Sequence, residues 1–196
     1  MRYLSSKIGI LFLGLICNIT LFAQQKPLSG SFPIGVFDSG TGGLTVLEAM
    51  LTLDEFNNIT GKPGKDGKLD FEKEYFQYLA DQANMPYGNY AAENKTDLLK
   101  ENILKNMNLL IGNSFEKSQN NIWTNLNKPQ AKMLVLACNT ATAFALNDIR
   151  LYLVAEHRNI PTIGVIDAGV KAAIQYQQKN EIGAIGVFAT AGTVAV

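Results

Sequence analysis

Residues 133–143 read MLVLACNTATA, an apolar run that ends in a cysteine and passes directly into small and hydroxylated residues. A short apolar run bounded by a polar turn is typical of an interior strand of a parallel sheet. Residues 140–146 have the small and apolar side chains of a packed helix. The stretch therefore predicts a strand, a turn and a helix, with Cys138 at the carboxyl end of the strand.

Cys138 would then lie where backbone N–H groups meet the positive end of a helix dipole. Both favour a thiolate over a thiol, and a thiolate can act as a base or a nucleophile near neutral pH. A free cysteine can equally be a small apolar side chain that fills the end of a strand. The stretch by itself leaves both interpretations open.

The same order of apolar strand, polar or glycine-containing turn and helix recurs along the chain. We predict strands at residues 34–37, 75–80, 160–166 and 182–188, and helices at residues 44–53, 96–112, 113–132 and 170–178. Such alternation predicts an α/β fold with a parallel sheet flanked by helices. In this class of fold, ligands bind at the carboxyl ends of the strands.

The turn at residues 38–43, DSGTGG, follows the first predicted strand. Its glycines would let the backbone approach a ligand closely, and the start of the next helix offers N–H groups to an anion such as a carboxylate. The spacing is not that of a dinucleotide-binding or P-loop motif, so a nucleotide site is not supported. Glycines that serve only a tight turn are the alternative.

Composition favours a globular protein with a small-molecule partner. The 196 residues are 47% hydrophobic and 17% charged, with a formal net charge of +0. No basic cluster recurs on one face, which gives no support for nucleic-acid binding.

Residues 1–23 differ in character from the rest of the chain. Arg2 and Lys7 precede a nearly continuous apolar run, which predicts a secretory signal peptide followed by a polar linker at residues 24–32. We expect export, to the periplasm, with no stable membrane anchor after cleavage. An uncleaved leader that anchors the chain in the membrane is the alternative.

Residues 57–73 are rich in Gly, Lys, Asp and Asn and predict a surface insertion. Asp66, Asp70 and Glu72 invite comparison with a calcium loop, but the spacing of an EF-hand is absent. We assign this segment no metal and no chemistry.

Five segments, in order, resemble glutamate racemase and the wider aspartate/glutamate racemase family: residues 36–46 (VFDSGTGGLTV), 85–88 (MPYG), 137–141 (ACNTA), 163–166 (IGVI) and 189–193 (ATAGT). The resemblance implies two pseudo-symmetric α/β domains with the active site between them. Residues 33–180 would be the first domain and residues 181–196 the start of the second.

The resemblance also implies an activity. The family racemises an acidic amino acid, glutamate or aspartate, without pyridoxal phosphate or a metal, by means of two cysteines on opposite faces of the substrate α-carbon. The D-glutamate so formed serves cell-wall peptidoglycan synthesis. Cys138 would be one of the two acid/base cysteines, and Asp38 would assist its proton transfers. The remaining matched residues would contact the substrate: Ser39, Tyr87, Gly88, Asn139, Thr140, Thr190 and Thr193.

The sequence departs from the family pattern at the second cysteine. That residue lies in a Cys-Thr-His segment that has no counterpart here, because the other cysteine, Cys17, is in the leader. We therefore expect the chain to be part of a longer enzyme and to be inactive, or nearly so, as a racemase by itself. A non-catalytic periplasmic amino-acid-binding module is the alternative, and a homodimer is left open. Gln82 and Asn84 replace the family's usual Thr and Arg, which leaves the substrate's identity open.

Overall fold

A computed structural model describes residues 32–112, 114–118, 121–124, 128–180 and 183–194 of the chain. The predicted signal peptide, and the predicted linker up to residue 31, lie outside the described residues. Within the described ranges, no helix combines the length and the apolar character needed to span a membrane.

Four parallel strands form the central sheet. The described residues contain these four strands and two more, which form a separate hairpin. In chain order the strands are β1 (Ile34–Asp38), β2 (Phe76–Ala80), β3 (Ser114–Ser118), β4 (Asn121–Thr124), β5 (Met133–Leu136) and β6 (Thr162–Gly164). The sheet has the order β2-β1-β5-β6, and all of its neighbouring strands are parallel. The predicted fold class, α/β with a parallel sheet flanked by helices, is confirmed.

Within the part of the chain that the structure describes, six α-helices accompany these strands: α1 (Gly43–Leu51), α2 (Gly88–Ala92), α3 (Thr96–Ile111), α4 (Asn139–Ala155), α5 (Val165–Asn180) and α6 (Ala191–Val194). A short 3-10 helix at Gln82–Asn84 lies between β2 and α2. Because β1 lies between β2 and β5, the carboxyl ends of these three strands meet at one edge of the sheet.

The strands alternate their side chains between two apolar layers, as the period of two in a strand requires. On one face, Phe37, Leu134 and Leu136 pack against buried residues of α3 and α4. On the other face, Val36 and Val135 pack with apolar side chains that include those of α1. The sheet is therefore buried on both faces, which explains why β1 and β5 read as continuous apolar runs.

The helix predicted at residues 113–132 is wrong. Here β3 and β4 form an antiparallel hairpin in which Phe115 lies opposite Trp123. The two strands contain only three large apolar residues, Phe115, Ile122 and Trp123, and a two-residue connection between strands is a hairpin length. Gly112 follows the last residue of α3.

Two further predicted boundaries change. The strand predicted at residues 160–166 is only Thr162–Gly164, and α5 begins at once at Val165 rather than at the predicted residue 170. The strand predicted at residues 182–188 is also wrong, because residues 183–188 have no regular secondary structure, and Phe188 is fully exposed. A strand needs a partner for its ladder, and the described sheet pairs none with this segment.

Candidate active site

Cys138 lies between β5 and α4, at the N-cap position of α4. Its backbone is extended, with φ −91° and ψ 122°, and its Sγ accepts a hydrogen bond from the Ala141 amide at 3.4 Å. The side chain is 6% exposed. The sulfur therefore takes the place of the usual N-cap oxygen at the positive end of a helix of 17 residues. An N–H donor and the helix dipole both stabilise negative charge at this atom.

Asp38 ends the neighbouring strand β1 and is also buried, at 6% exposed. Its Oδ2 accepts a hydrogen bond of 2.7 Å from the Gly43 amide, the first residue of α1. The Ala137 amide donates to the Phe37 carbonyl at 2.8 Å, so the ends of β1 and β5 are held side by side. Asp38 and Cys138 thus leave adjacent strands at the same edge.

Gly43 permits this arrangement because a side chain would not fit there. A Cβ on Gly43 would lie 2.7 Å from the Asp38 Cβ and 2.9 Å from the Ala137 Cβ. The glycine turn is therefore required for close packing of α1 against the strand ends. The turn brings the α1 N-terminus onto the Asp38 carboxylate.

Ser39 directly contacts the cysteine. The Cys138 thiol donates to the Ser39 Oγ at 3.5 Å, and Ser39 is half-buried. The structure therefore brings Cys138, Asp38 and Ser39 to one edge of the sheet. The resemblance implies acid/base chemistry for Cys138 and Asp38 and substrate contact for Ser39. What they do to a substrate remains a prediction.

Tyr78 is a neighbour of this group that sequence reasoning missed. Its hydroxyl donates to the Gly40 carbonyl at 3.0 Å. Burial raises the pKa of Tyr78, and the charges of Asp38 and Cys138 raise it further. The signal available in the sequence was a tyrosine in the strand that precedes the matched segment at residues 85–88.

Tyr87 follows a cis peptide bond between Met85 and Pro86. Its side chain is 3% exposed, and its hydroxyl donates to the Asp81 carboxylate at 2.6 Å. Burial and this hydrogen bond raise the pKa of Tyr87 far above its ordinary value, and the charge of Cys138 adds to the effect. The phenol is therefore a protonated donor that is committed to Asp81.

The other predicted contact residues lie on elements around the same edge. Asn139 and Thr140 open α4, and Gly88 is exposed at the start of α2 with nothing near its missing side chain. The Oγ1 atoms of Thr190 and Thr193 are 2.9 Å apart, and Thr193 belongs to α6, which contacts both α2 and α4. Helix α6 therefore lies against the two helices that carry the other predicted contact residues.

His157 and the carboxylates of the loop after α1 lie on other parts of the chain. His157 follows the end of α4 in a left-handed conformation, with φ 54°. In the loop after α1, Asp70 accepts hydrogen bonds from the Glu55 and Phe56 amides, and Asp66 accepts from the Asn58 and Lys68 amides. These carboxylates hold the loop together. Over the described ranges, no group of three or more His, Cys, Asp and Glu side chains could hold a metal ion.

The fold and the site define a class: a parallel α/β protein in which the turn after a central strand carries a cysteine at the N-terminus of a long helix. No family model matches the chain. The glutamate racemase of Oceanobacillus iheyensis is 35% identical over 162 residues, which cover 83% of this chain and 43% of that protein. The glutamate racemase of Enterococcus faecalis is 34% identical over 163 residues, which cover 83% and 44%.

Solved structures give the same result. The crystal structure of the glutamate racemase isoform RacE1 from Bacillus anthracis matches with a TM-score of 0.54 and 29% identity, over 85% of this chain and 46% of that one. The glutamate racemase of Francisella tularensis, solved in complex with D-glutamate, matches with a TM-score of 0.54 and 25% identity over the same shares. The predicted resemblance is confirmed: the chain is related to the glutamate racemases over most of its own length. It spans less than half the length of these relatives.

Proposed function

We propose that the protein takes part in cofactor-independent racemisation of an acidic amino acid, with Cys138 as the acid/base group on one face of the substrate. The observation that carries the proposal is the position of the Cys138 sulfur. It lies at the N-terminus of α4, in contact with the Ala141 amide and the Ser39 hydroxyl. The relationship to glutamate racemases supports an amino acid as the substrate.

The first step follows from this geometry. The Cys138 thiolate removes the substrate's α-hydrogen as a proton, and the bonding electron pair stays on the α-carbon. Helix N-termini suit the substrate carboxylate, because their free N–H groups and dipole stabilise an anion. Asp38, on the adjacent strand end, would assist proton transfer at the sulfur, and Ser39 would contact the substrate.

Inversion needs a second acid/base group. A thiol on one face can return its proton only to that face, so the opposite face needs its own donor. Cys138 is the one free cysteine among the described residues. We therefore expect this chain to exchange the α-hydrogen of an amino acid with solvent much faster than it inverts the stereocentre.

The test follows both processes in one sample. The purified chain is incubated with L- and D-glutamate, and separately with L- and D-aspartate, in heavy water. Deuterium at the α-carbon and optical rotation are then recorded over time. Deuterium uptake with almost unchanged rotation is the expected result, and the amino acid that exchanges faster identifies the substrate. Sustained inversion at a rate comparable to uptake would contradict the one-face mechanism, and binding without uptake would point to a non-catalytic binding module.

We also propose that residues 1–23 direct export of the chain and are then removed. Support comes from the composition alone, with Arg2 and Lys7 ahead of an apolar run and a small residue, Ala23, at its end. Mass spectrometry of the protein from a membrane-free periplasmic extract is expected to show an N-terminus at Gln24. Recovery of the full-length chain in the membrane fraction would instead indicate an uncleaved anchor.

A further inference from the structure

We infer that Asp81 is a positioning residue that holds the loop at residues 82–92 beside Cys138. The inference deepens the proposed function, because this loop carries Tyr87 and Gly88. Neither the sequence nor the resemblance gave Asp81 a role. It follows β2, in the same way that Asp38 ends β1.

The Asp81 carboxylate is a junction for three side chains. It accepts from the Tyr87 hydroxyl at 2.6 Å, from the Asn106 amide at 2.9 Å, and from the Asn84 amide at 2.9 Å and 3.0 Å to its two oxygens. Two of these donors, Asn84 and Tyr87, belong to the loop, and Asn106 belongs to α3. The carboxylate thus ties the loop to a helix whose apolar face is fully buried.

The junction is also fixed to the sheet. The Asp81 amide donates to the Asp38 carbonyl at 3.0 Å, which joins the end of β2 to the end of β1. Asp81 is 7% exposed, and none of the ion pairs found among the described residues includes it. Its charge is therefore held by neutral donors, and hydrogen bonds to a charged group are stronger than those between neutral groups.

The arrangement decides how Tyr87 can serve the site. Because its hydroxyl is committed to Asp81, the Tyr87 side chain supports the loop and does not offer that hydroxyl to a ligand. The same ring packs in the buried cluster that contains Cys138. Loss of the Tyr87–Asp81 hydrogen bond would therefore both move the loop and expose the Cys138 sulfur.

The experiment compares the full-length chain with three variants. Asp81→Asn keeps the size of the side chain but presents an N–H to donors, and Tyr87→Phe removes one donor while it keeps the ring in the core. Asp97→Asn, on the exposed first turn of α3, is the matched loss of one negative charge. Three quantities are measured: amide hydrogen exchange by segment, the rate of Cys138 alkylation by iodoacetamide, and the glutamate concentration that halves that rate.

Positioning predicts three changes in Asp81→Asn. Exchange rises in residues 82–92 but not in β1 or β5, alkylation of Cys138 accelerates, and the half-protecting glutamate concentration rises about tenfold, the equivalent of the 1.4 kcal/mol expected for one such bond. Tyr87→Phe is expected to change all three in the same direction, and Asp97→Asn none. If Asp81→Asn unfolds the whole chain, Tyr87→Phe decides the question.

Unchanged loop exchange and alkylation in a folded Asp81→Asn or Tyr87→Phe variant would overturn the inference. Raised loop exchange with an unchanged half-protecting concentration would also overturn it, because Asp81 would then be merely structural. Failure of the proposed function looks different: glutamate and aspartate would protect no form of the chain, the unsubstituted one included. In that case, faster alkylation together with raised loop exchange would still support the positioning role.

Discussion

Among single residues, Asp38 and Gly43 make the contact that joins the end of β1 to the start of α1. The Asp38 carboxylate receives the first amide of α1, and the missing side chain of Gly43 lets helix and strand approach. A buried carboxylate that accepts such a bond is held in one orientation. The end of β1 is in turn bonded to the start of the Cys138 turn, because the Ala137 amide donates to the Phe37 carbonyl.

Gly43→Ala is expected to destabilise the protein by about 1–3 kcal/mol, the usual cost of overpacking a closely packed site. The new methyl would overlap the Cβ atoms of Asp38 and Ala137, at 2.7 and 2.9 Å. Gly42→Ala is the control, because its Cβ would meet only an Asp38 oxygen at an ordinary 3.7 Å. Urea denaturation of both variants measures the difference. Equal stability of the two variants would contradict the packing argument.

Tyr87 makes stability depend on pH in the alkaline range. Its pKa is raised above the ordinary 10.0, so above pH 10 the unfolded chain loses this proton while the folded chain keeps it. The folded state then binds more protons than the unfolded state, and stability falls as pH rises, by at most about 1.4 kcal/mol per pH unit from this residue. Urea denaturation between pH 8 and about pH 11 should show a steeper fall for the unsubstituted chain than for Tyr87→Phe. Parallel curves would contradict the assignment.

At the scale of elements, α4 and β6 approach unusually closely at Gly164. A Cβ there would lie 2.3 Å from the Thr142 Cγ2 and 3.0 Å from the Leu146 Cδ2. Thr142 cannot turn away easily, because its hydroxyl bonds the Cys138 carbonyl at 2.9 Å and β-branched side chains are stiff in helices. Helix α4, which begins at the cysteine turn, thus packs closely against the edge strand β6 because residue 164 has no side chain.

Gly164→Ala should therefore cost about 1–3 kcal/mol in unfolding free energy. Adding Thr142→Ser removes the methyl in the way and keeps the hydroxyl, so the double variant is expected to recover part of the loss. Gly169→Ala, in the exposed helix α5 with open space around it, should instead gain about 0.5–1 kcal/mol from helix propensity. Thermal or urea unfolding of the three variants tests this expected order of their unfolding free energies. A double variant no more stable than Gly164→Ala would point to strain elsewhere.

Much of this architecture could be predicted from local patterns. The runs that became β1, β2 and β5 are apolar and followed by polar turns, and the glycine turn and the cysteine turn identify the edge where they end. Asp81 and Tyr78 could not be identified from the sequence. The residues around them do not reveal that donors from residues 87 and 106 contact Asp81, or that the charges of Asp38 and Cys138 act on Tyr78. Those relationships exist only after the strands pair.

The wrong predictions have local causes too. At residues 114–124, a few apolar residues fit both a helical and an alternating pattern, and short runs do not separate the two. The apolar run at residues 183–188 looked like a strand, but a strand is defined by its neighbours. The described sheet ends at β6 and offers it none.

At the scale of the whole molecule, the described chain places one cysteine at the edge of one sheet, and its relatives are more than twice the length that it matches. Helix α5 has no buried residue, and Val170, Val187 and Phe188 are strongly exposed. Under the proposed function, the described site would remove a proton from one face of the substrate, and a group outside it would deliver a proton to the other face.

The central claim is that the Cys138 sulfur takes a proton from the α-carbon of an acidic amino acid. The most direct measurement is the rate at which glutamate and aspartate gain deuterium at that carbon in heavy water, compared between the unsubstituted chain, Cys138→Ala and Cys17→Ala. We expect the unsubstituted chain and Cys17→Ala to exchange equally, and Cys138→Ala to be slower by about a hundredfold or more, the usual share of a general base. Exchange that persists in Cys138→Ala, or that is absent from the unsubstituted chain with both amino acids, would contradict this role of Cys138.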